Sequence, residues 1–143
     1  MMNCQSEARL SGLEYEKTVS NHLTKNGYRI WGENYLLRDS YVRVDFVAIK
    51  DDNFVYVEAK GGRSNRSGAK RTNNVKNAIS DASMIKFHEP KSKYVVYFSE
   101  KAKSGSTSDM LIRNAINAKL FDEVRYVEYD GSYTRSLEDF FDD

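Results

Sequence analysis

The chain has 143 residues, 40% hydrophobic and 30% charged, with a formal net charge of +1. That length fits one domain with one core, and the composition excludes a disordered or fibrous chain. A lone cysteine (Cys4) and two histidines exclude an internal disulfide and argue against zinc, and they suit a reducing cytoplasm. The N-terminus has no basic segment followed by an apolar stretch, so no signal peptide is expected. The longest apolar runs, such as Tyr94 to Phe98, are too short to span a membrane.

In chain order, residues from about Gly12 to Asn26 form a helix, with Leu13, Glu16, Val19, Ser20 and Leu23 on one face and Asn26-Gly27 as its C-cap. Tyr28 to Leu37 is a strand. Val42 to Lys50, rich in β-branched residues, is a second strand; Asp51-Asp52-Asn53 is a turn, and Phe54 to Lys60 returns as the other arm of a hairpin. Gly61 to Gly68 is a loop. Ala69 to Phe87 is helical, with a stripe of Val75, Ala78, Ile79, Ala82 and Ile85. Lys93 to Glu100 is a strongly apolar, central strand. After a loop comes a helix, Asp109 to Leu120, with Leu111, Ile112, Ala115 and Ile116 at core spacing. Glu123 to Asp130 is a last strand, and Leu137 to Phe141 a short terminal helix. The order α-β-β-β-α-β-α-β implies a single α/β domain, 1–143, with a mixed central sheet flanked by helices.

Asp45 and Glu58 are acidic residues inside apolar strands, and Lys60 closes the second of them. Unpaired charges in such positions are costly. With the turn centred near Asp52, residues whose numbers sum to about 104 face one another, so Asp45 falls opposite Ala59, give or take one. Glu58 and Lys60 share a face because side chains alternate along a strand. A register placing Asp45 opposite Glu58 or Lys60 gathers all three. Directly opposed Cβ atoms lie roughly 5 Å apart, close enough for two carboxylates to share a divalent cation. Hard oxygen ligands select Mg²⁺, with Mn²⁺ as substitute, and leave positions for water and phosphate oxygens. Lys60 beside the ion would orient or deprotonate the attacking water, or stabilise developing charge. The bland alternative is an exposed ion pair on a sheet face.

Charge is unevenly distributed. Lys60 to Lys76 carries six basic residues and no acidic one, whereas Asp122 to Asp143 carries eight acidic residues and two basic ones. Arg63, Arg66, Lys70 and Arg71 directly follow the strand that carries Glu58 and Lys60 and are candidate contacts to nucleic-acid phosphates, with Lys76 on the next helix as a further one. Lys101, Lys103 and the Ser-Gly-Ser-Thr-Ser loop are a second candidate contact. Tyr56, Tyr97 and Trp31 are read as packing residues, and His22 as a helix-surface residue.

Val-Asp-Phe-Val-Ala (44–48), the twelve residues between Asp45 and Glu58, and Glu58-Ala59-Lys60 resemble the PD-(D/E)xK nuclease signature. Gly12-x-x-x-Glu16-x-x-Val19, with Leu23 and Gly27-Tyr28, is similar to the first helix of that superfamily. The likeness extends over residues 12 to 100. It departs at Val44, where the nominal motif has proline. The resemblance implies a restriction-endonuclease-like α-β-β-β-α-β core. It also implies that Glu16 assists Asp45 and Glu58 in holding the metal; Glu14, less favourably turned on the helix, is the rival. The implied activity is Mg²⁺-dependent hydrolysis of phosphodiester bonds in double-stranded DNA. The segment Gly68 to Ile79 resembles small homing endonucleases of phage or cyanobacterial type. Holliday-junction resolvases and restriction or repair nucleases share the motif, and an inactive DNA-binding module of the same fold is the alternative from another class. Cutting both strands needs two active sites, so a homodimer or homotetramer is expected.

Overall fold

The computed structural model describes residues 4–62 and 68–131. Its elements are α1 (Cys4–Lys25), β1 (Arg29–Leu37), β2 (Val42–Lys50), β3 (Asn53–Lys60), a 3-10 turn (Gly68–Lys70), α2 (Thr72–His88), β4 (Tyr94–Phe98), α3 (Thr107–Asn117) and β5 (Glu123–Tyr126). The expected α/β order is present, α-β-β-β-α-β followed by α3 and β5. The proposed terminal helix, Leu137 to Phe141, lies outside the described residues. Among the described residues no helix is long and apolar enough to cross a membrane.

One five-stranded mixed sheet is ordered β1-β2-β3-β4-β5. The first three strands are antiparallel, and β4 and β5 run parallel to β3. The β2–β3 hairpin closes through two residues, Asp51 and Asp52, whose φ of 52° and 65° put both in the left-handed region. That geometry matches the twist of paired strands and suits short polar side chains. It pairs Lys50 with Asn53 and, further along, Phe46 with Val57.

Two apolar layers cover the sheet. Tyr15, Val19 and Leu23 of α1 pack with Phe46, Ala48, Val55, Val57, Val95 and Tyr97. Val75, Ala78, Ala82 and Ile85 of α2, with Ile112 and Ala115 of α3, pack with Val47, Tyr94, Val96 and Phe98 on the other side. All five residues of β4 are buried, as its unbroken apolar run requires between two parallel neighbours. α1 starts eight residues earlier than its apolar periodicity indicates. Its buried face is turned toward Tyr15, whose hydroxyl donates to the Val127 carbonyl at 2.7 Å, which leaves Leu13 exposed. Ile116 is also exposed, because α3 turns Ile112 and Ala115, with Leu111 beside them, to the core. α1 ends as expected: Gly27, at φ 88°, lets the Tyr28 amide reach the Leu23 carbonyl at 3.0 Å.

Candidate active site

β2 and β3 form a regular ladder from the turn as far as Phe46 and Val57. There the two strands part. β3 continues alongside β4 to the pair Lys60 and Phe98. The amide of Ala59 donates not to a β2 carbonyl but to Asp45 Oδ2, at 2.8 Å. The carboxylate of Asp45 thus fills the next place in the ladder. The facing of β2 switches across the same residue: Val42 and Val44 pack with the α2 layer, Phe46 and Ala48 with the α1 layer. On the other flank, Asn34 of β1 sits between the partners of Phe46 and Val44 at a left-handed φ of 47°. Backbone irregularity on both sides of Asp45 opens the sheet where charged groups gather.

Glu58 extends from β3 on the face of Tyr56 and is only 3% exposed. Lys60 Nζ stands 3.6 Å from Glu58 Oε2. Burial, with the Asp45 charge adding to it, pushes the Glu58 carboxyl well above its usual range, while Lys60 pulls it down. On the α1 side Glu16 meets Asp45. Burial first, then the charge of Asp45 and a hydrogen bond with it, pushes Glu16 up to about 8. Asp45 is therefore the carboxylate that both neighbours feel, with Glu16 to one side and Glu58 to the other. Asp81 of α2 is raised by burial, opposed by Lys60 and reinforced by Asp45. A cleft of about 320 Å³, lined by Leu13, Glu16, Lys17, Ser20, Glu33, Asn34, Asp45 and Phe46, opens onto Asp45 from the α1 side.

Asp45, Glu58, Lys60 and Glu16 thus come together. The observed register, with partner numbers summing to 103 against the expected 104, is the one that brings Asp45 to Glu58. Of the two helix carboxylates, Glu16 lies beside Asp45, whereas Glu14 is fully buried. The carboxylates form a chain of neighbours rather than a cage: among the described residues no group of three His, Cys, Asp or Glu could enclose a metal ion. Two carboxylates suffice for Mg²⁺, which keeps several waters. The donor chemistry, two carboxylate side chains meeting at one place, fits such an ion.

The cationic candidates are more scattered. Arg63 and Arg66 lie outside the described residues. Lys70 is exposed and 3.8 Å from Glu100. Arg71 precedes α2 at its N-cap, and Lys76 is exposed on α2. Lys70 and Lys103 line one cavity with Ala69, Thr72 and Ser106 to Ser108, which joins the two basic segments that stand apart in the sequence.

One expectation needs correction. His22 is no mere surface residue: its Nδ1 is 2.8 Å from the Tyr97 hydroxyl, which the Arg125 guanidinium also contacts. Trp31 packs as expected, though at the surface: it is half-exposed on edge strand β1, with Tyr35 and Phe54 against its ring. Asp81 and Glu33 belong to the site's surroundings, though the sequence pattern does not single them out. Asp81 alone left a trace there, as a carboxylate beside the stripe residues Ala78 and Ala82.

No family model matches the chain. It is similar to a UPF0102 protein of Syntrophomonas wolfei, 43% identical over 58 residues, which cover 41% of this chain and 49% of that one. It is also similar to a UPF0102 protein of Kosmotoga olearia, 43% identical over 51 residues, covering 36% of this chain and 43% of that one. The chain thus spans less than half the length of these curated relatives. Among solved structures, Pyrococcus furiosus SfsA in complex with Ca²⁺ aligns at a TM-score of 0.44 and 18% identity, over 83% of this chain and 55% of that one.

Proposed function

We propose that the chain is a metal-dependent endonuclease that hydrolyses phosphodiester bonds in double-stranded DNA. Asp45 and Glu58 would hold a Mg²⁺ or Mn²⁺ ion, with Glu16 assisting through Asp45. When bound, such an ion lowers the pKa of a coordinated water and offsets charge on the phosphate. The observation that carries the reading is the meeting of Asp45 with Glu58 where β2 and β3 part, with the Lys60 ammonium 3.6 Å from Glu58. Carboxylates so placed repel each other, and a divalent cation between them would remove that cost. Lys60 supplies a positive charge next to the carboxylates, where it can orient the attacking water or stabilise charge on the phosphate. Lys70, Arg71 and Lys76 would hold the flanking backbone.

Plasmid nicking in Mg²⁺, Mn²⁺ and EDTA tests this. Cleavage should require a divalent ion and fall at least about a hundredfold in Asp45→Ala and Glu58→Ala, as removal of a metal ligand implies. Cleavage that persists in either variant rejects the site. Binding without cleavage in every metal would favour a DNA-binding module of the same fold. A substrate panel of plain duplex, four-way junction and long specific sites separates repair or restriction, resolvase and homing roles. We place the active form as a homodimer or homotetramer, since two active sites are needed to cut both strands. Light scattering that finds only monomer, on and off DNA, would remove that part of the reading.

A further inference from the structure

Tyr94 lies on β4, two residues before the partner of Glu58: Tyr56 pairs with Tyr94, and Glu58 with Val96. Tyr94 belongs to the α2-side layer, the face that Tyr56 and Glu58 share, so Tyr94 and Glu58 are diagonal neighbours on adjacent strands. Such neighbours are within reach of an aromatic side chain. The ring is 0% exposed and stacks on Phe121, with centroids 6.0 Å apart. Its amide donates to Asp122 Oδ2 at 2.7 Å. Nothing in that packing needs a hydroxyl, and phenylalanine would fill the same space. Yet the Tyr94 hydroxyl is buried without a partner, and so is Glu58 Oε1. A buried hydroxyl left unpaired is a standing cost that a native structure rarely keeps without a use. Here a donor and an acceptor are both orphaned on the same face of neighbouring strands.

We propose that Tyr94 is a positioning residue for Glu58, its hydroxyl donating to Glu58 Oε1 through one bridging water. A buried water needs at least two polar partners, which these atoms supply. Glu58 is then held from both ends: Oε1 through Tyr94, and Oε2 facing Lys60. Carboxylates that ligate metals are commonly fixed by such outer hydrogen bonds, whose loss weakens binding. The inference rests on the metal-dependent reading of Asp45 and Glu58.

The test is Tyr94→Phe, which keeps the ring and removes one atom. Mn²⁺ affinity measured by calorimetry should weaken about 10- to 100-fold. In nicking assays kcat should drop while KM for DNA stays unchanged. In metal-free protein, the urea midpoints of Tyr94→Phe, Glu58→Gln and the double variant should be non-additive. Wild-type Mn²⁺ affinity in Tyr94→Phe, or additive midpoints, would overturn the proposal. If Mn²⁺ binding is lost in Asp45→Asn but intact in Tyr94→Phe, only this inference fails. A wild-type protein that neither binds Mn²⁺ nor nicks DNA overturns the functional reading, and the Tyr94 proposal with it.

Discussion

At the scale of single residues, Asp45 does two things at once. One carboxylate oxygen replaces a backbone acceptor for Ala59, and the group meets Glu16 and Glu58 on either side. The energetic consequence is testable through Glu16. Its folded pKa, about 8, lies above the ordinary 4.5. Between those values the folded protein binds more protons than the unfolded one, so stability falls as pH rises. Glu58 is shifted in the same direction and adds to that fall. The melting temperature in EDTA should therefore decline from pH 4.5 to about 8, and Glu16→Gln should make the decline shallower. Equal slopes in the two proteins would contradict the shared burial of these carboxyls.

At the scale of elements, the site depends on how β3 leaves the sheet. The Gly62 amide donates to Ser99 Oγ at 3.1 Å, and the Ala69 amide to the Glu100 carbonyl at 2.9 Å. Both ends of the basic segment that follows β3 are therefore tied to the C-terminal end of β4. Gly68 makes the second tie possible. Its φ is 63°, and a Cβ there would stand 2.5 Å from the Glu100 amide nitrogen and 2.8 Å from that of Ser99. Neither backbone atom can yield cheaply. Gly68→Ala should cost about 2 kcal/mol or more, from the left-handed backbone and the steric conflict together. Urea unfolding measures it, and an unchanged midpoint would mean that the turn relaxes freely.

At the scale of the whole molecule, charge outweighs any single side chain. A net charge of +1 conceals a cationic middle and an anionic end. Lys70 and Lys76, both exposed, belong to that middle. If they neutralise DNA phosphates, the double variant Lys70→Ala/Lys76→Ala should bind all duplexes more weakly. Its plot of log affinity against log salt should be shallower by about 1 for each phosphate no longer neutralised. An unchanged salt slope, read by fluorescence anisotropy, would place the DNA elsewhere. The Lys70–Glu100 pair is a poor competitor for phosphate, because exposed ion pairs at 3.8 Å contribute little.

The sequence by itself determined the element order, the hairpin and the shared face of Glu58 and Lys60. All three follow from local rules: β-branched runs, a short turn and the period of two. The α2 stripe was legible for the same reason, and four of its five residues are buried. Only the tertiary structure decided how α1 turns. There Tyr15 takes the core place expected for Leu13, because a large ring with a distant carbonyl partner outweighs helical periodicity. It also decided that the ladder breaks at Asp45, which puts that carboxylate within reach of both Glu16 and Glu58. Asp81 and Tyr94 come to Glu58 from another helix and another strand, a proximity fixed by packing across the sheet and carried by no local pattern.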